Sequence, residues 1–335
     1  TTAVRTMING QRLVVRKVLI EHAALDAVIQ AGVLTATGDL VSFAHHVLFD
    51  HIASRFHLAW DNSEALLAQI AGDASTALLL APALRFAIER IWRFDQVGRP
   101  TSWKLISGIY GTSTINSVLG SMALRIAVEN IEDESDVAGL MARMATASKE
   151  PGFASLLARL ARFAKMVSES VKVIATPTAI AWGKLANALL ASEEQMLLDP
   201  ARYLLHTLID HGDLEDPKLL AEFGQAARAL LEVGWITASS HIADSAIRFV
   251  GRSFASDPVA SRTLLDRILR EPHFSKHADR EATRLAGEIV PITRADPEFS
   301  VEIYAALYSQ QIADDAPTAL GGQHSRIMQL TSNRR

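Results

Sequence analysis

Histidine is the residue type with the most chemical promise in this chain, and it is concentrated early: His22, His45, His46, His51 and His57 all precede residue 58. On a helix, His46, Asp50 and His57 fall on one face, and two imidazoles with a carboxylate are zinc-ligand types. His57 lies nearly three helical turns beyond His46, however, which is too far along the axis for one ion. His273 and His277 form a second i, i+4 pair in Pro-His-Phe-Ser-Lys-His, and two histidines alone do not make a metal site. A solvated helix start accounts for that pair, and no metal is expected at either place. His45 is left as the residue to single out. It stands where an apolar strand pattern, Leu40 to Phe43, runs into an apolar helix pattern. An imidazole there can donate an N–H to an anion and takes up a proton near neutral pH.

The remaining chemistry is sparse. No phosphate loop of the form G-x-x-x-x-G-K-S/T occurs, and Gly108, Gly111 and Gly120 sit in a helical pattern rather than after a strand. There is no G-x-S-x-G and no H-E-x-x-H. The absence of cysteine excludes disulfides, thiolate metal sites and thiol catalysis. Glu132, Asp133, Glu134 and Asp136 form an acidic run that reads as a helix opening favoured by the helix dipole. No catalytic residue, no metal and no cofactor is expected within this chain.

The elements that must position His45 follow from spacing. Residues 11–31 read as helical, with Leu13, Val14, Val18, Leu25, Val28 and Ile29 near helical period and Gly32 as the stop. Val33–Ala36 and Leu40–Phe43 read as two strands joined by a Thr37-Gly38-Asp39 turn. No strand is expected from Ala44 onward. Pro82 opens a helix with Leu84, Ile88 and Ile91 on one stripe and Arg85, Glu89 and Arg93 at i, i+4 spacing. From Pro151, Leu156, Leu160, Phe163, Val167, Val171 and Ile174 share a face, and Pro177 is expected to end that helix. Further helices are expected over 101–110, 114–130, 135–148, 178–191, 199–211, 216–234, 238–252, 258–271, 275–288 and 297–311. Breaks recur about every 15–20 residues, so helix pairs recur about every 35–45, the period of stacked helical-hairpin repeats. Asp314-Asp315-Ala316-Pro317 to Gly321-Gly322-Gln323 reads as a linker.

Composition agrees. Hydrophobic residues make up 49% and charged residues 21% of 335, ample for a buried core. With 33 basic and 37 acidic residues the net charge is -4, so neither a nucleic-acid partner nor a membrane surface is expected. The apolar run near Ala74 to Leu84 is roughly half of a membrane span. A cytoplasmic setting is expected. The start, Thr-Thr-Ala-Val-Arg, lacks a signal-peptide core, and the end, Arg334-Arg335, lacks a clear cap; both suggest a piece of a longer protein.

Helix, strand, tight turn, strand, helix over residues 20–58 resembles the winged-helix region of STAND ATPases, the signal-transducing family that includes bacterial defence proteins, NOD-like proteins and plant resistance proteins. In that family a Met-His-Asp motif opens the last winged-helix helix; the matching residues here are Ala44, His45 and His46, with Asp absent. The resemblance implies that His45 reaches the β-phosphate of ADP held by an upstream nucleotide-binding domain, with ATP and ADP bound outside this chain. It implies a fold that is mainly α: a winged-helix domain over 1–58, an irregular α-solenoid of helical hairpins over 59–312, and a linker with the start of a further segment over 313–335. It implies a partner protein or ligand on the concave face of the solenoid, and oligomerisation of the full-length protein. A plain protein-binding solenoid would show the same helices. A winged helix that reads DNA would offer His22, Asp26 and Gln30 from its reader helix, with no Arg or Lys for phosphates.

Overall fold

The computed structural model describes residues 2–20, 24–96, 98–147, 151–192, 194–236, 240–270 and 284–314. It is mainly helical, with one small antiparallel sheet. By backbone proximity the chain forms two compact units, 1–163 and 164–335. The expected boundary after residue 58 lies inside the first unit, and the expected break before 313 lies inside the second.

The first unit opens with α1 (Thr2–Asn9), β1 (Val14–Arg16) and a 3-10 turn (Lys17–Leu19), followed by α2 (Leu25–Gln30), β2 (Leu34–Thr37), β3 (Leu40–Phe43) and α3 (His46–Phe56). Residues 11–31 are therefore not one helix, contrary to the sequence expectation. Gln11 adopts a left-handed φ of 48° just after α1, which breaks the helical path. The β-branched pair Val14-Val15 then pairs with β3, Val15 opposite Val41. Pairing with residues far along the chain outweighs a helical spacing that is only local. The sheet has three strands in the order β1-β3-β2, not two.

The hairpin forms where Thr37-Gly38-Asp39 predicts it. Thr37 pairs with Leu40, leaving a Gly38-Asp39 loop in which Gly38 takes a φ of 61°. Asp39 also accepts from the Lys17 amide at 2.8 Å, tying the loop to β1. Gly32, with a φ of 71°, ends α2 as expected. Met7, Val41, Phe49 and Ala53 are each 2% exposed or less, and α1 and β3 both pack on α3.

Next in this unit come α4 (Ser63–Gly72), α5 (Ala74–Leu79), α6 (Ala81–Phe94), α7 (Pro100–Gly111), α8 (Ser117–Asn130) and α9 (Glu134–Ala147). Their starts are written in local chemistry. Asn62, Asp73 and Asn116 cap α4, α5 and α8 through side-chain oxygens, and prolines open α6 and α7. The Arg85–Glu89 pair forms at 2.8 Å, and Arg85 also reaches Glu129 on α8 at 2.9 Å.

The unit boundary falls within α10 (Pro151–Ser170). Leu156 and Leu160 are buried as the stripe predicts, but α10 stops at Ser170, so Val171 is 45% exposed beyond it. Pro177 does not end that helix; it opens α11 (Thr176–Ala191), where its missing N–H costs nothing. The second unit continues with α12 (Leu198–His211), α13 (Pro217–Ile236), α14 (Ser240–Arg252), α15 (Pro258–Leu269), α16 (Ile289–Ala295) and α17 (Pro297–Asp314). Here α11 packs on both α12 and α13, and α13 packs on α12 and α14. The expected helix over 275–288 lies mostly outside the described residues. Among the described residues no strand follows Phe43, and no helix is long and apolar enough to cross a membrane.

Candidate functional site

His45 sits at the junction between β3 and α3. The Ala44 amide donates to Val33 O at 3.0 Å, which fixes the end of the hairpin, and the Leu48 amide donates to His45 O at 3.0 Å, which begins the helix. His45 keeps an extended backbone, φ -133° and ψ 133°, and its side chain caps no helix N–H. Below it, Phe43 meets Phe49 edge-on at 5.8 Å, so the apolar side of the junction is anchored in the core. His45, His46 and Val47 are all exposed. The result is an imidazole held over a helix N-terminus, facing outward, with its ring nitrogens uncommitted to the helix. Such an arrangement can donate to an anion presented from outside.

The other sequence candidates do not converge with it. Asp50 is partly buried, which raises its carboxyl above the ordinary carboxylate range, while a positive charge on His46 works the other way. His57 is half-buried at the end of α3; burial and the Arg5 charge hold it below the usual imidazole value. His46, Asp50 and His57 form no metal-holding group, and among the described residues no three His, Asp or Glu side chains do. His51 turns instead to the Phe86 ring, edge-on at 5.9 Å. Asp26 and Gln30 are exposed on the short α2, while His22, His273 and His277 lie outside the described residues. A cleft of about 390 Å³ lies between α1, the end of α3, α4 and α5, with His57, Gln11 and Asp73 on its wall. Two of its polar groups are already engaged: Gln11 donates to Ser75 at 2.6 Å, and Asp73 accepts from the Ser75 and Thr76 amides.

Two features escaped the sequence. The acidic run does open α9, but Asp136 is 2% exposed and pairs with Arg99 at 2.7 Å. In the second unit His206 packs edge-on against Phe249 at 4.8 Å, with Nε2 3.3 Å from the Ser245 hydroxyl. Burial, then the nearby Arg202, Lys165 and Arg248 charges, push His206 down to about 4, against a weaker pull upward from Asp210. A base whose folded value is depressed stays neutral in the fold while the unfolded chain takes up the proton. Stability should therefore fall as pH drops from about 6.5 towards about 4, and no further below that. Allowing for the ring's partial exposure, the loss is about 1–2 kcal/mol. Comparing urea midpoints at pH 7 and pH 5 for wild type and His206→Gln isolates it: the variant should lose less stability on acidification. Equal losses would show that His206 does not titrate differently in the fold.

No protein-family description, no curated protein and no solved structure matches this chain.

Proposed function

We propose that this chain is the regulatory and sensor part of a STAND-type ATPase, a winged helix followed by an irregular α-solenoid, acting on a nucleotide switch upstream. The observation that carries the proposal is the exposed His45 at the β3–α3 junction. Two features support it. The order helix, strand, helix, hairpin, helix with sheet order β1-β3-β2 suits a winged helix. The pattern in which α11 and α13 each pack on the next helix and the next but one suits stacked helical hairpins.

In this proposal His45 donates to the β-phosphate of ADP held by the upstream domain and favours a closed packing. A partner on the concave face of the solenoid binds the open packing better and shifts the population towards it. A charge-assisted bond of this type is worth about 1.5–3 kcal/mol. Losing it would raise an open population of about 1% to roughly 10–60%.

The test is made in the full-length protein. His45→Ala is expected to speed ADP release and raise activity without ligand, while the melting temperature of the 335-residue chain stays unchanged. His46→Ala should do neither. The isolated chain, with no phosphate loop in its sequence, serves as the nucleotide-binding blank. Unchanged ADP release in His45→Ala, or unfolding of the chain, would make the residue structural and end the assignment.

A further inference from the structure

The ends of α3 and α6 lie side by side in the first unit, and they bring two arginines and three aromatic side chains together. The Arg90 guanidinium lies over the Trp60 ring at 4.9 Å, and Trp60 lies against Phe94 at 6.1 Å with the rings 32° apart. Phe94 is 72% exposed and Phe56 62%. Arg55 sits 5.9 Å over Phe56 and near enough to Arg90 to repel it. Elsewhere in this unit Arg85, Arg99 and Arg125 are each answered by a carboxylate within 3 Å. Arg90 and Arg55 have no such answer among the described residues. Arg90 Nη1 is buried with no hydrogen-bond acceptor, and no carboxylate offsets the Arg55 charge acting on it. Only Nη1 of Arg90 is covered and the rest of its guanidinium meets solvent, so an anion arriving at this face would find two neighbouring cations with no carboxylate already between them.

We propose that Arg55, Arg90, Trp60 and Phe94 form a docking site for an acidic peptide segment of a partner protein, a carboxylate lying between the two guanidiniums and a neighbouring apolar side chain on Phe94. The chemistry is specific. A guanidinium fork matches a carboxylate in two parallel hydrogen bonds, and the Trp60 ring already backs the Arg90 guanidinium. Exposed Phe94 and Arg55 beside the half-buried Trp60 and Arg90 have the composition of interface centres, where a few such residues carry most of the affinity. A nucleic acid fits less well. It needs a basic track along several phosphates, whereas here two cations stand at one spot, Asp61 is exposed beside Trp60, and the chain carries a net charge of -4. This site is independent of His45 and of the proposal built on it.

The experiment titrates the 335-residue chain against a fluorescein-labelled Glu-Asp-Leu-Asp-Glu peptide by fluorescence polarisation. The amide peptide Gln-Asn-Leu-Asn-Gln and the leucine-free Glu-Asp-Gly-Asp-Glu are controls. Saturable binding is expected, weakened roughly tenfold or more by Arg55→Gln, by Arg90→Met and by the amide peptide. Phe94→Ser should weaken the leucine peptide and leave the glycine peptide unchanged. The melting temperature of Arg90→Met should stay level or rise, because an unsatisfied donor is removed; a merely structural arginine would lower it. Arg55 and Phe94 are exposed, so their variants fold whatever Arg90 does. Failure of the acidic peptide to bind, equal binding of the amide peptide, undiminished affinity in Arg55→Gln, or a destabilised Arg90→Met would each overturn the proposal. So would tighter binding of labelled oligothymidylate or ATP that depends on the same two arginines.

Discussion

Asp136→Asn is expected to destabilise the chain by about 3–5 kcal/mol, because it removes one partner of a buried ion pair and strands the other. Asp136 has 3% of its side chain exposed and Arg99 21%. One carboxylate oxygen accepts from Arg99 Nε at 2.7 Å; the other accepts from the Glu132 amide at 2.8 Å. An asparagine can keep one acceptor oxygen but not both, and its NH₂ would face either a guanidinium or a backbone N–H. Arg99 cannot swing out to water in response. Its Nη1 donates to Trp92 O at 2.6 Å and Asp95 O at 2.7 Å, and its backbone holds a left-handed φ of 54°. Lys104–Glu64 shows that burial and not distance decides the magnitude. That pair is also 2.7 Å long, but both side chains are more than two-thirds exposed, and Glu64→Gln should be close to neutral. Urea unfolding of both variants measures the contrast. If Asp136→Asn costs no more than Glu64→Gln, the buried pair contributes nothing beyond a surface one.

What could be read from the sequence divides along the range of the interaction. The start of α6 was legible because Pro82 is a local signal; Asn62, Asp73 and Asn116 cap α4, α5 and α8 over an equally short range, but hydrophobic spacing alone passes over them. The hairpin was legible because Gly38 and Asp39 set their own turn. β1 was not, because Val14 and Val15 become a strand only when Ser42 and Val41 arrive opposite them, and their local spacing fits a helix as well. Pro177 was ambiguous for the same reason, since proline both ends one helix and opens the next. The position of His45 at a strand-to-helix junction was legible; its exposure and its uncapped side chain were not, because both depend on how Phe49 and Ala53 seat α3 on the sheet. Least legible were the groups that the fold assembles. Arg99 meets Asp136 across 37 residues, Arg90 meets Trp60 across a loop and two helices, and His206 meets Phe249 on another helix. In each case the sequence shows an ordinary charged or aromatic residue on a helix, and only packing makes it unusual.

Gly139→Ala is the second large expected loss, and its sign runs against helix propensity. Gly139 lies inside α9, where replacing glycine with alanine ordinarily gains about 1 kcal/mol. Here a Cβ would overlap the carbonyl oxygen of Gly98 and come within 3.4 Å of Pro100 Cα. That carbonyl is not free to move, because it accepts from the Gly139 amide itself at 2.9 Å. Gly98 is equally constrained, with a φ of 84° and the Gly139 amide nitrogen 3.3 Å from where its own Cβ would stand. The two glycines bring the turn before α7 against α9 backbone to backbone, and this close approach lets Arg99 reach Asp136 one turn earlier on the same helix. Overpacking against fixed backbone costs about 3 kcal/mol, occasionally more, so the propensity gain is overridden and a net loss of about 2–3 kcal/mol remains. Gly152→Ala provides the control. It lies in the first turn of α10 with nothing within 4 Å of its Cβ position, and should leave stability level or slightly raised. Chemical denaturation of the two variants decides the matter. A Gly139→Ala chain as stable as Gly152→Ala would mean that the turn and α9 do not pack this closely, and the Arg99–Asp136 pair would lose the contact that holds it in register.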